Sequence, residues 1–145
     1  MMLEQQDFRM RRETLDEHPG GRIILVDTIA HVRDEDAGQV VICGSHGGIS
    51  SGEYASRVQA SVVFFNDAGG GKEGAGTAAL SLLEARGIAA GTVSHDSAMI
   101  GDALDAWENG TVSVLNARAQ ALGFAVGQPL RDAIHSFLTR ASDAQ

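Results

Sequence analysis

Two histidines, an aspartate and a serine stand where acid–base or hydrolytic chemistry would need them. His46 lies in Gly44-Ser45-His46-Gly47-Gly48, directly after the apolar run Val40-Val41-Ile42-Cys43. Asp67 lies in Asn66-Asp67-Ala68-Gly69-Gly70-Gly71-Lys72, directly after the run ending in Phe65. His95 lies in Ser94-His95-Asp96-Ser97, directly after Ile88 to Val93. Histidine is the side chain whose charge changes near physiological pH, so His46 and His95 suit proton transfer. Asp67 would orient a histidine or act as base, and Ser45 offers a hydroxyl as donor or nucleophile. Glycines let backbone amides approach a ligand, and a following helix N-terminus attracts an anion. Gly44, Gly47, Gly48, Asn66, Gly69, Gly70, Gly71, Lys72, Ser94 and Asp96 are therefore read as ligand-binding.

Each segment also has a plainer reading. Gly44 to Gly48 can be a tight strand-to-helix turn, and Ala68 to Gly71 a surface loop with solvated charges. Asp96 or Ser97 suits the cap of the helix that follows. Cys43 at a strand end could be a nucleophile, but such a cysteine is more often core. A phosphate-binding loop requires G-x-x-x-x-G-K-[ST]. Here Asn66 stands in place of the first glycine and Glu73 follows Lys72, so that assignment fails. A Ser–His–Asp triad could be drawn from Ser45, His95 and Asp67 or Asp96, yet the G-x-S-x-G elbow is missing. A facial metal triad of His46, His95 and Asp67 has no short ligand spacing behind it, so no metal site is assigned.

These segments need a scaffold. Ile23 to Val26, Val40 to Cys43, Ser61 to Phe65 and Ile88 to Val93 are continuous apolar runs, as expected of strands covered on both faces. Helices are expected between and after them. One covers about 49–58, with the Ser50/Glu53 spacing of a capping box. Another carries Ala75, Ala78, Ala79, Leu82 and Leu83 on one stripe and stops at Gly87. A third runs from about Ser97 to Glu108. Thr111 to Leu115 reads equally as a short strand or a first helical turn, and Leu115, Ala119 and Leu122 support a helix ending at Gly123. Pro129 fits the first position of a last helix bearing Leu130, Ile134, Phe137 and Leu138. Alternating strands and helices with short connections predict a single-domain, three-layer αβα sandwich with a mainly parallel sheet of four or five strands. Residues 1–21 read as an N-terminal arm, disordered or packed on a partner, and residues 22–141 as the domain. The three polar segments then share the carboxyl edge of the sheet, where open α/β sheets bind ligands.

Composition narrows the partners. The 145 residues carry a formal charge of −8, and the only adjacent basic pair is Arg11-Arg12, which argues against nucleic acid and anionic membrane. No apolar run approaches the roughly 20 residues that span a bilayer, and the first residues do not read as a signal peptide. The single cysteine rules out an intrachain disulfide, and the chain reads as cytoplasmic. The sequence leaves the cofactor open. A homo-oligomer is compatible with the unplaced arm and with Trp107 near a helix end.

The phrases GSHGG, NDAGGGKEGAG and SHDSAMIGD together resemble those of small uncharacterised bacterial α/β proteins. The resemblance spans about residues 22 to 135 and implies one domain of similar length. It implies no particular reaction. The expected function is a small-molecule-binding protein, an enzyme acting by acid–base or hydrolytic chemistry on an anionic or carbonyl-bearing metabolite. The alternative is a non-catalytic ligand-binding or assembly module using the same loops.

Overall fold

Continuous apolar runs can be buried on both faces, and they form the centre of the sheet. The computed structural model describes residues 10–16 and 18–143. In it β2 (Ile23–Val26), β3 (Val40–His46), β4 (Val62–Asn66) and β5 (Ala90–Val93) lie side by side in chain order, all parallel. Alternate side chains enter opposite cores. Ile23, Leu25, Val40, Ile42, Val62 and Phe64 face one, while Ile24, Val26, Val41, Cys43, Val63 and Phe65 face the other.

The sheet has six strands, where four or five were expected, and both flanking strands are antiparallel. β1 (Arg12–Leu15) pairs with β2, and β6 (Val112–Leu115) pairs with β5. β1 comes out of the segment read as an arm. Its sequence, Arg-Glu-Thr-Leu, has no strand-like alternation, because an ion pair rather than an apolar face anchors it. The Arg12 guanidinium meets both oxygens of Asp36 at 2.9 and 2.8 Å, and the wholly buried Asp36 also accepts the Arg33 amide at 2.8 Å. The arm expectation for residues 1–9 and 17 lies outside the described residues. β6 resolves the ambiguity at Thr111 to Leu115 in favour of a strand.

The parallel strands never reverse their order. Right-handed crossovers that all step the same way put every connection on one face. That face carries 3₁₀ turns at Ile29–His31 and Asp34–Asp36, then α1 (Ile49–Ala55) and α2 (Ala79–Ala85). They bury Ile29, Ala55, Ala79, Leu80 and Leu83 against the sheet. Among the described residues, the helices of the other face all come after β5. There α3 (Ala103–Asn109) contributes Ala103, Ala106 and Trp107, and the short α4 (Ala117–Ala121) contributes Ala119. Along α5 (Leu130–Asp143), Leu130, Ala133, Ile134 and Leu138 complete the cover.

Several element boundaries differ from the sequence reading. The helix expected from Ser97 begins at Ala103, and its cap is Asp102, which accepts the Asp105 amide at 3.0 Å. Residues 94–101 instead cross the end of the sheet as turns. α1 starts after Gly48 without a side-chain cap, so Ser50 and Glu53 form no capping box there. The stripe from Ala75 begins as a 3₁₀ turn, Lys72–Thr77, before α2. Gly87, at φ +82°, does close that helix. Among the described residues, no helix is long and apolar enough to cross a membrane.

Candidate functional site

Parallel pairing brings the three polar segments to one edge. His46 is in register with Asn66, and Asn66 with Val93, two residues before His95. Neighbouring strands lie roughly 4.8 Å apart, so the strands bearing His46 and His95 are separated by about 10 Å.

Asp67 and His95 meet. Asp67 is 9% exposed, and its Oδ1 accepts the backbone amides of Gly69 at 2.8 Å and His95 at 3.0 Å. The His95 ring is half exposed and places Nδ1 3.4 Å from the same oxygen. Its Nε2 stands 3.1 Å from Oδ1 of the exposed Asp96. Burial pushes the Asp67 carboxyl up. Hydrogen bonds from the Gly69 amide, the Ser113 hydroxyl and the amide and ring of His95 outweigh it and hold the group below the ordinary carboxylate range. Asp67 is thus a buried negative charge aimed at an accessible imidazole. Both ring nitrogens face carboxylate oxygens, Nδ1 that of Asp67 and Nε2 that of Asp96.

The loop after Asp67 is shaped around it. Ala68, Gly69, Gly70 and Gly71 all have positive φ, from +53° to +87°, a conformation natural for glycine and strained for Ala68. The Gly70 amide donates to the Asp67 carbonyl at 2.8 Å, and the Gly76 amide to the Gly70 carbonyl at 2.9 Å. A side chain at Gly76 would run into the Asp67 carbonyl, and one at Gly69 would lie against the His95 ring. Lys72 is exposed at the start of the 3₁₀ turn.

The remaining expected residues are placed differently. Asn66 is buried, and its amide joins its own loop to the next one: Oδ1 accepts from Ala68 N at 2.8 Å and Nδ2 donates to Ala98 O at 3.0 Å. Ser45 Oγ accepts from Ile29 N at 3.0 Å, which turns it towards the segment after β2 and away from His95. His46 is exposed, with Nδ1 accepting the Gly48 amide at 3.1 Å, so it supports the first turn of α1. The Gly47 amide donates to Asn66 O at 3.1 Å, and the Gly44 carbonyl accepts from Gly101 N at 2.7 Å. Ser94 and Ser97 hold one another at 2.9 Å, and Ser97 Oγ also accepts the Thr111 amide at 2.9 Å. Cys43 is buried, which pushes its thiol up to about 12. Among the described residues, no three His, Cys, Asp or Glu side chains converge in a way that could hold a metal, so the facial triad is not assembled.

Two features escaped the sequence. Ser113 on β6 hydrogen-bonds Thr92 on β5, with oxygens 2.8 Å apart, and also bears on Asp67. Nothing in Val-Ser-Val-Leu marks that serine, since its hydrogen-bond partner lies on another strand. The second is a cleft of about 680 Å³ at the carboxyl end of β2, lined by Met10 to Glu13, Asp27 and Met99 to Asp102. Its acids are already engaged: Asp27 accepts the Ala103 and Arg11 amides at 2.9 and 2.8 Å, and Glu13 meets Arg11 at 2.6 Å.

Fold and site together define an α/β protein with a mostly parallel six-stranded sheet and a carboxylate–imidazole pair at its carboxyl edge. Comparison with protein-family models, with curated proteins and with solved structures finds no match to this chain.

Proposed function

We propose that this three-layer αβα protein binds a small anionic or carbonyl-bearing metabolite at the carboxyl edge and acts on it by acid–base chemistry. His95 moves the proton, and Asp67 orients its ring and balances its charge. The observation that carries this reading is the buried, ionised Asp67 set 3.4 Å from a half-exposed imidazole. Catalytic sites arrange charge and burial in this way, with a carboxylate fixing the working histidine. Lys72 and the glycine-rich loop stand beside the pair as a source of positive charge and of backbone donors. His46 acts, in this reading, on the far side of a ligand that bridges the roughly 10 Å between the two strands. A hydrolytic route through Ser45 has less support, because its oxygen is turned to Ile29.

One observation favours a structural role without a ligand over either a catalytic or a non-catalytic binding module. The glycine turns are largely filled by their own backbone, as at Gly44 against Gly101 and Gly47 against Gly76. Native mass spectrometry of the protein purified from its expression host separates these readings, followed by NMR of any captured compound. Capture by wild type and His95→Gln, with conversion by wild type alone, is the expected result. A compound held unchanged by wild type would make the protein a binding module. Equal conversion by wild type and His95→Gln would sink the acid–base assignment.

A further inference from the structure

A buried side-chain amide needs partners, and those of Asn66 lie on the two segments that carry Asp67 and His95. Asn66 closes β4 and is 1% exposed. Its Oδ1 accepts the Ala68 amide at 2.8 Å, which ties together the residues on either side of Asp67. That bond holds the chain through Ala68, whose φ of +53° is unusual for a residue with a side chain. Its Nδ2 donates to the Ala98 carbonyl at 3.0 Å. Ala98 ends the turn that contains His95, in which the Ser97 and Ala98 amides donate to the Ser94 carbonyl at 3.0 and 3.3 Å. The start of that turn is fixed separately, by the Ser94 amide on the Thr111 carbonyl at 2.9 Å. Between the two bonds of Asn66, Asp67 Oδ1 receives the Gly69 and His95 amides. The chemistry of the carboxamide matters here. A carboxylate would meet the Ala98 carbonyl with a second acceptor, and an aliphatic side chain would leave both backbone groups without their partner.

We infer that Asn66 is a positioning residue: its side-chain amide clamps the Asp67 loop to the His95 turn and so sets the carboxylate against the imidazole. This rests on the acid–base reading of the Asp67–His95 pair and adds a buried residue behind it. An asparagine that served stability alone would lower the unfolding midpoint when replaced, and would leave the site loops unchanged in a variant that still folds.

The test uses the whole chain and needs no substrate. Hydrogen exchange by NMR follows the Gly69 and His95 amides, which donate to Asp67, with the Val63 amide inside the sheet as reference. An acid titration followed at the same two amides reads the Asp67 midpoint. Asn66→Ala is expected to speed exchange at both amides by about tenfold or more relative to Val63, and to move the Asp67 midpoint upward, towards the ordinary carboxylate range. Asn66→Asp keeps the acceptor for Ala68 and loses the donor for Ala98, so exchange should rise more at His95 than at Gly69. Unchanged relative exchange at Gly69 and His95 in folded Asn66→Ala would overturn the inference, whatever that variant loses in a denaturant melt. Should neither variant fold, the wild-type chain decides. Its Asn66 side-chain NH₂ protons are expected to exchange far more slowly than those of the exposed Gln120, and equal rates would overturn the clamp. Failure of the functional reading looks different: His95→Gln would convert a captured compound as fast as wild type, while the Gly69 and His95 amides of the wild type stayed protected.

Discussion

A thiol becomes a nucleophile by ionising, and burial opposes ionisation. Cys43 sits inside the sheet with its thiol pushed up to about 12, well above the ordinary cysteine value of about 8.5. The folded protein should therefore resist a thiol-specific reagent at pH 8, and the same chain in guanidinium should react at once. Fast labelling of the native state would return Cys43 to the list of candidate nucleophiles. His46 supports one local bond, to the Gly48 amide. Replacing it by alanine removes a contact comparable to a helix cap, so His46→Ala should cost about 0.5–1 kcal/mol in a denaturant melt. A loss of several kcal/mol would make the ring a structural pillar and not a ligand contact. Asp67 is more demanding. In Asp67→Asn an amide NH₂ competes for a place where only acceptors fit, beside the Gly69 and His95 amides. A loss of about 1–3 kcal/mol is expected there in a denaturant melt.

The loops at the strand ends are packed on one another, and this explains many of their glycines. A Cβ on Gly44 would sit 2.5 Å from the Asp102 nitrogen and 2.7 Å from the Asp27 carbonyl, both rigid backbone. Gly44→Ala is therefore expected to destabilise by about 1–3 kcal/mol, measured by urea unfolding, although its backbone needs no positive φ. Wild-type stability in that variant would mean that the 99–102 crossing can lift away. This contact also shows where the sequence stopped being informative. The four apolar runs identified the parallel strands because burial on both faces leaves an uninterrupted signal. The polar segments after them could be located for the same reason. Their use could not be read, since Gly47 serves Asn66 and Ala79, while Gly44 serves Gly101, and those partners are remote in sequence. β1 was missed because its anchor is Arg12 on Asp36, a pairing 24 residues apart with no apolar pattern. The start of α3 was placed too early because Asp96, Ser97 and Asp102 are all plausible caps, and the turn that crosses the sheet selects Asp102.

The Arg12–Asp36 pair ties the first strand to the rest of the protein. Burial raises the Asp36 carboxyl, but the Arg12 side chain and the Arg33 amide outweigh it and hold the group below the ordinary carboxylate range. Asp67 is lowered in the same sense. A folded value below the unfolded one stabilises the protein fully above the unfolded value of about 3.9 and less as pH falls through the folded value. Unfolding midpoints in urea should be flat from neutral pH to about 5 and fall steeply below about 4, with Asp36→Asn flattening that fall. Arg12→Met leaves the buried Asp36 charge uncompensated and should cost about 3–5 kcal/mol, whereas Arg12→Met combined with Asp36→Leu should cost much less. Equal losses in single and double variants would show that the pair is not coupled.

The unreversed strand order has a consequence for synthesis on the ribosome. Each of β2 to β5 joins the strand made just before it, so the sheet can grow from one side as the chain emerges, with short loops to close and little searching. The helices of the first face arrive with those strands. The second face, presenting Ile23, Leu25, Val40, Ile42 and Phe64, must wait for α3 and finally α5. For most of translation the nascent protein is a half-clad sheet, and that oily side is where a chaperone would be needed. Chains stalled before Leu130 should be captured by holdases or aggregate, while release of the last helix should end that dependence.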